Sequence, residues 1–279
     1  TGVQTCALPI LPWLPPEVRD GTDELAAADA GDAFADLVSL ADLTCAVHCH
    51  TTDSDGRASI AEMAEAAHAR GLAAITITDH SAAAGYASGL DADRLRDQLA
   101  AIRALPAAPA RARVLAGTEA DILVDGALDV PPALLGALDL VIVSIHQRHQ
   151  LDRAAMTQRL VTALGQPFFK IWGHALGRML PDRAPIDVDV DAVLDAAAAA
   201  PVAIELNGDP HRLDLPPEHA RRAAARGIPF VLSCDAHSVP GLDATRFAVA
   251  MARRARLRTR QVLNALPTED LVDALRPLR

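Results

Sequence analysis

The chain has 279 residues, 51% of them apolar, and a net charge of −10. That length and apolar content suit one large domain with a substantial core. The acidic balance argues against a module that grips nucleic acid by bulk positive charge, but leaves room for a local basic cleft or for charge supplied by bound metal ions.

Thr1–Ile10 reads TGVQTCALPI, without charge or clear period, and lacks the basic start and long apolar stretch of a signal peptide. It is read as a non-native leader outside the fold, and Cys6 with it. Residues 11–41 form a lead-in: Pro12, Pro15 and Pro16 keep its start extended, and 24–40 should hold one or two short helices. From residue 42 to 279 the pattern is regular and is read as one domain. Strands are predicted near 43–50, 73–78, 113–120, 140–145, 169–173, 202–206 and 229–234, from short β-prone runs. Helices are predicted near 59–70, 91–104, 152–164, 189–199, 217–226 and 242–256. Ser59 and Glu62 make a capping box, Asp91 and Asp152 are N-caps, and Gly71 and Gly227 fall where C-caps belong. The tail from 259 reads as one or two short helices. Seven βα units in succession suggest a closed parallel barrel. Four cysteines without C-x-x-C spacing suit a reduced, cytoplasmic chain, and the lack of a long apolar run argues against a membrane span.

Active sites of parallel α/β barrels form at the C-terminal ends of the strands. Nine ligand-type side chains fall there: His48, His50, Asp55, His80, Glu119, His146, His174, Asp235 and His237. His48 and His50 are alternate residues of a predicted strand, so both imidazoles can face one metal. Asp55 follows after a turn that Gly56 permits. Imidazoles mixed with carboxylates suit Zn²⁺, Mn²⁺ and Fe²⁺, and so many donors suit two or three ions rather than one. Asp79 is read as orienting a neighbour, His149 as a loop residue, and Cys49 and Cys234 as packing. Arg178, Arg183 and Arg212 are candidate phosphate contacts.

The motifs His48-X-His50, Asp55-Gly56, Thr78-Asp79-His80-Ser81, Gly117-Thr118-Glu119, Ser144-Ile145-His146, Gly173-His174 and Asp235-Ala236-His237 together resemble the PHP family, the polymerase and histidinol phosphatase domain. The likeness covers about 11–265. It is nearer to the C-terminal PHP domain of bacterial family X DNA polymerases, through Leu11–Arg19, Glu119–Leu123, Gly126-X-Leu128-Asp129 and Asn207-X-X-Pro210-X-Arg212-Leu213-Asp214. The resemblance implies an α/β fold, a distorted seven-stranded (β/α)7 barrel with its metal site at the C-terminal ends of the strands. It implies three metal sites: His48, His50, Glu119 and Asp235; then Glu119 with His146 and His174; then Asp55, His80 and His237. It further implies catalysis through Glu119, His48, His50 and Asp235. The expected activity is a Mn²⁺-dependent 3′→5′ exonuclease and 3′-end phosphoesterase; with no polymerase palm in this sequence, the chain is read as a C-terminal fragment of such a polymerase or as a stand-alone relative.

Three departures stand out. Ser81-Ala82-Ala83-Ala84 lacks a lysine usual in that subgroup, Gln147 replaces a small residue, and Ala175 replaces a proline. The missing lysine and the acidic charge favour a rival, a small-molecule phosphatase of the histidinol-phosphate or nucleotide type. A third reading is a non-catalytic, metal-stabilised domain that supports a polymerase; the full set of nine ligand positions argues against it.

Overall fold

The computed structural model describes residues 13–32 and 34–277; the expected leader over 1–10 and the first two residues of the lead-in lie outside the described residues. Short strands and helices alternate in chain order. They run α1 (Glu24–Asp29), β1 (Cys45–Cys49), α2 (Ile60–Ala69), β2 (Ala74–Ile77), α3 (Ala92–Ala104), β3 (Arg113–Ala116) and β4 (Glu119–Asp121). Then follow α4 (Pro132–Leu135), β5 (Ile142–Ser144), α5 (Arg153–Leu164), β6 (Ile171–Trp172), α6 (Val190–Ala198), β7 (Ala203–Asn207), α7 (Pro217–Ala225), β8 (Phe230–Ser233), α8 (Thr245–Arg254) and α9 (Thr268–Leu275).

Local chemistry sets the helix ends. Ser59 and Glu62 close a reciprocal capping box on α2, with Glu62 Oε2 accepting from the Ser59 N–H at 2.8 Å. Asp91 accepts from the Arg94 N–H (2.9 Å) at the start of α3, and Asp152 from the Ala155 N–H (2.9 Å) at the start of α5. Gly71 and Gly227 take the left-handed conformation just past α2 and α7 (φ +81° and +77°).

Every strand pair is parallel, in two sheets ordered β1-β2-β3 and β4-β5-β6-β7-β8. The single strand expected over 113–120 is therefore two. The chain switches partners at Gly117-Thr118, from β2 to β5, where a Cβ on Gly117 would come 2.9 Å from a Thr78 methyl carbon. Single bridges join the sheets at both seams, His80 to Glu119 and Cys49 to Ala236. At the second seam the His50 N–H donates to the Ala236 carbonyl (2.9 Å) and the Ala236 N–H to the His48 carbonyl (3.0 Å).

One apolar cluster draws Cys45 and Val47, Ala74, Leu115, Ile142, Ile171, Ala203 and Val231 from seven strands, together with Leu271, Val272 and Leu275 of α9. Residues from so many strands can meet only on the concave side of both sheets, so α9 packs into the N-terminal end of the strand set. The opposite faces, with Ala46, Ile75, Trp172 and Leu232, pack outward on helix residues such as Met63, Leu95, Leu160 and Leu194. The lead-in has its own small cluster of Leu14, Val18, Ala28, Phe34 and Leu37. Arg253 of α8 and Arg256 just beyond it bind this segment at Glu17 (2.8 Å) and Asp23 (2.6 Å). Among the described residues no helix is long and apolar enough to cross a membrane.

Candidate metal centre

The first strand needs an irregularity to build the site. Strict alternation would leave His48 and His50 on the side of Ala46, which packs outward. The β1–β2 register slips between Ala46 and Cys49, and His48 takes a left-handed backbone (φ +66°). This bulge turns both imidazoles toward the cluster while Cys49 stays in the outer layer, its Sγ 3.8 Å from that of Cys234. Asp235 (φ +48°) and His174 (φ +22°) are also left-handed. Such backbone costs about 1–3 kcal/mol at a non-glycine residue and collects at functional sites.

Neighbouring residues hold the other donors in place. Asp79 accepts from the Thr51 N–H and hydroxyl (both 2.7 Å) and from the Gln98 amide (2.6 Å), fixing the turn that carries Asp55. Gly56 is required there by close approach, since a Cβ would lie 2.6 Å from the His50 carbonyl. Before His174, a Cβ on Gly173 would lie 2.4 Å from Ser144 Oγ.

All nine candidate ligands come together. Glu119 is the hub. Its Oε1 lies 2.7 Å from His174 Nε2, 3.2 Å from His146 Nε2 and 3.4 Å from His48 Nε2. Its Oε2 lies 2.8 Å from His80 Nδ1 and 3.8 Å from His50 Nε2. Asp235 Oδ1 is 3.2 Å from His50 Nε2 and 3.6 Å from His48 Nε2. Asp55 Oδ1 is 3.3 Å from His237 Nε2 and 3.7 Å from His80 Nε2. Four sets have donor atoms within 4.8 Å of one another: His48-His50-Asp235, His48-Glu119-His174, His80-Glu119-His146, and His50-Asp55-His80-His237. The sets overlap, with His48, His50, His80 and Glu119 each belonging to two of them.

The donor set fits divalent cations. His48 Nε2, both ring nitrogens of His50, His146 and His174, and both oxygens of Glu119 are buried without a properly angled hydrogen bond among the described residues. A buried polar atom without a partner costs about 1–3 kcal/mol, and nitrogen and carboxylate donors converging in this way suit a metal ion. The charges respond to one another. Burial would raise the carboxyl pKa of Glu119, but His146, His48, His80 and His174 outweigh it and hold the group well below the usual carboxylate range. Asp235 is likewise held low against burial, by His48, His50 and Arg212. His48 is pushed well up despite burial, by Glu205, Asp235 and Glu119.

Glu205 escaped the sequence reading, and Asn207 enters it only as part of a motif, without a role. Glu205 on β7 is fully buried and lies 2.5 Å from His48 Nδ1; it also accepts from the His174 N–H. Asn207 donates to both Glu205 Oε2 (3.2 Å) and Asp235 Oδ2 (3.1 Å). The available signal was an acidic residue inside the apolar run Val202-Ala203-Ile204-Glu205-Leu206. Asp121 also faces the centre, accepting from the His146 N–H at 3.2 Å.

Of the arginines, Arg212 is mostly buried beside the cluster, its Nε 2.9 Å from Asp235 Oδ2 and its Nη1 without a partner among the described residues. Arg178 donates through Nε to the Arg212 carbonyl (2.7 Å) and through Nη2 to the Leu213 carbonyl, so it braces the segment that carries Arg212. Arg183 donates to the Gly177 carbonyl (2.8 Å). His149 sits outside the cluster, with Nε2 3.1 Å from the Ile145 carbonyl.

Residues 46–167 match the PHP domain family. The chain is 38% identical over 261 residues to the DNA polymerase/3′-5′ exonuclease PolX of Bacillus subtilis (strain 168), an alignment covering 94% of this chain and 45% of that protein. The chain thus spans somewhat less than half the length of this relative. It is 28% identical over 236 residues to a probable phosphatase of Thermoanaerobacter sp. (strain X514), covering 81% of this chain and 87% of that one. The crystal structure of histidinol phosphate phosphatase from Lactococcus lactis, complexed with zinc, L-histidinol and phosphate, aligns with a TM-score of 0.45 at 15% identity, over 75% of this chain and 93% of the other. The match takes in the motifs from His48 to His146, while those at His174 and Asp235–His237 lie beyond it.

Proposed function

We propose that this chain is a metal-dependent phosphoesterase acting on the 3′ ends of DNA, as a 3′→5′ exonuclease and 3′-end phosphodiesterase or phosphatase. The observation that carries the reading is Glu119, whose two oxygens face five imidazoles within 3.8 Å. His48, His50, Asp55, His80, Glu119, His146, His174, Asp235 and His237 would hold two or three divalent ions, with Mn²⁺, Zn²⁺ and Fe²⁺ all suited to these donors. Ions held there supply Lewis acidity toward a phosphoryl oxygen and lower the pKa of water toward neutrality.

The chain's own residues do the positioning. Glu119 would offer its two carboxylate oxygens to bound ions, with His48, His50 and Asp235 as donors beside it. Asp55, His80 and His237 form the more open edge, where Asp55 and His237 are about one-third exposed and substrate can enter. Arg212 would take a phosphoryl oxygen through its free Nη1, adding charge where negative charge develops. Arg178 acts through Arg212 by holding its backbone. The likeness to PolX supports DNA as substrate.

A second reading, a small-phosphomonoester phosphatase, is favoured by the net charge of −10 and by the cation-free loop Ser81–Ala84. The probable phosphatase relative supports it too. The test is Mn²⁺-dependent release of mononucleotides from a 3′-end DNA substrate, beside phosphate release from histidinol phosphate, for wild type and His48→Ala. DNA degradation that the mutant loses is the expected result. Phosphate release alone would replace it with the second reading, and neither activity with metal bound would refute both.

A further inference from the structure

Tyr86 is the only tyrosine in the chain. It is 71% exposed, yet its ring centroid lies 6.2 Å from that of His80 and 6.3 Å from that of His146. The loop that carries it, 81–90, is firmly docked. Ser81 Oγ donates to Asp129 Oδ1 (2.8 Å), the Ala83 N–H to Asp129 Oδ2 (2.9 Å), and the Leu90 N–H to the His80 carbonyl (2.7 Å). Ala84 and Ala87, on either side of the tyrosine, are buried. Gly89 passes so close to Ser81 that a Cβ would lie 1.9 Å from its carbonyl oxygen. A tightly anchored loop therefore holds its one large ring in water, at the rim of the His80-Glu119-His146 group. A packing role would bury that ring; exposing it on a fixed backbone suits it to meet a ligand.

We propose that Tyr86 is a specificity-determining residue, its ring stacking on the nucleobase of the nucleotide whose phosphate lies at the His80-Glu119-His146 group. The inference rests on the phosphoesterase reading and narrows its substrate to nucleotide esters. Every nucleobase offers a π-face, so stacking tolerates any sequence while rejecting esters that have no ring. It also supplies recognition that does not depend on the lysine missing from this loop.

The test compares wild type, Tyr86→Phe and Tyr86→Ala in Mn²⁺. Steady-state kinetics would be measured on a short single-stranded oligonucleotide and on glycerol 3-phosphate, which has no ring. Fluorescence anisotropy would give the Kd of the same oligonucleotide carrying a 3′ phosphorothioate linkage. Tyr86→Ala should raise KM and Kd for the oligonucleotide roughly 10- to 100-fold, Tyr86→Phe should stay near wild type, and glycerol 3-phosphate kinetics should not change. Equal oligonucleotide KM and Kd in wild type and Tyr86→Ala would overturn the proposal, as would an equal loss on both esters. If wild type hydrolyses neither ester, the phosphoesterase reading fails on its own, and the anisotropy result still decides whether Tyr86 binds a nucleobase.

Discussion

Glutamine at position 205 should weaken metal binding without unfolding the protein. Glu205 receives three converging donors: His48 Nδ1 at 2.5 Å, the His174 N–H, and the Asn207 amide at 3.2 Å. A carboxylate accepts from all three, and it fixes His48 with its proton on Nδ1 and its Nε2 lone pair toward the cluster. Glutamine has nearly the same volume but only one acceptor oxygen. If its oxygen faces His48, its NH₂ opposes the His174 and Asn207 donors. If its NH₂ faces His48, the ring must move its proton to Nε2 and loses its lone pair there. The first arrangement leaves buried donors unsatisfied, worth about 1–3 kcal/mol, and the second removes the nitrogen lone pair that would face a metal. Partners of metal-ligating histidines typically change metal affinity by about 10–100-fold, which is about 1.4–2.8 kcal/mol and agrees with that figure. Calorimetric titration of Mn²⁺ into chelator-stripped Glu205→Gln and wild type measures the difference, with melting of both stripped forms as the control for folding. An unchanged affinity in a variant that melts like wild type would refute the bracing role of Glu205.

Three further outcomes follow from the same geometry. Gly173→Ala places a methyl group 2.4 Å from Ser144 Oγ and 2.6 Å from Ile142 Cγ2; it should cost about 1–3 kcal/mol by overpacking and displace His174. Thermal melting and metal titration would both report this, and a wild-type metal affinity would count against it. His149→Ala should leave metal stoichiometry unchanged in elemental analysis, because its Nε2 is committed to the Ile145 carbonyl; loss of an ion would make it a ligand. In the stripped protein, stability should be greatest near pH 6.5. For His146, burial is outweighed by Glu119 and Asp121, and for His237 by Asp55 and Asp235, so both are pushed up to about 9. Their contribution is complete below the unfolded value of 6.5 and is lost as pH rises to about 9. Burial, with His80 and His237 nearby, pushes His50 down to about 3; burial, with Arg212 nearby, pushes His174 down to about 4. The unfolded chain then binds more protons below pH 6.5, so stability also falls on that side. Melting temperatures that climb steadily from pH 6.5 to 9 would contradict this assignment.

The sequence by itself marked the nine candidate donors that the fold brings together, and most of the scaffold. Ligand residues lie next to their strands along the chain, so position at a strand end, a property of periodicity, places them at one end of a parallel sheet. Caps such as Ser59-Glu62 and Asp152 were readable for the same reason, since each bond spans three residues. Tertiary structure decided what depends on register between distant strands. The break at Gly117-Thr118 arises because one chain segment pairs with β2 and then β5. The inward turn of His48 comes from a slip against β2, which no alternation pattern within β1 could disclose. The reach of Glu205 across 157 residues to His48 depends on how the strands are staggered. Spacing along a chain fixes direction within one element, whereas the distances between donors of different elements are set only when those elements pack.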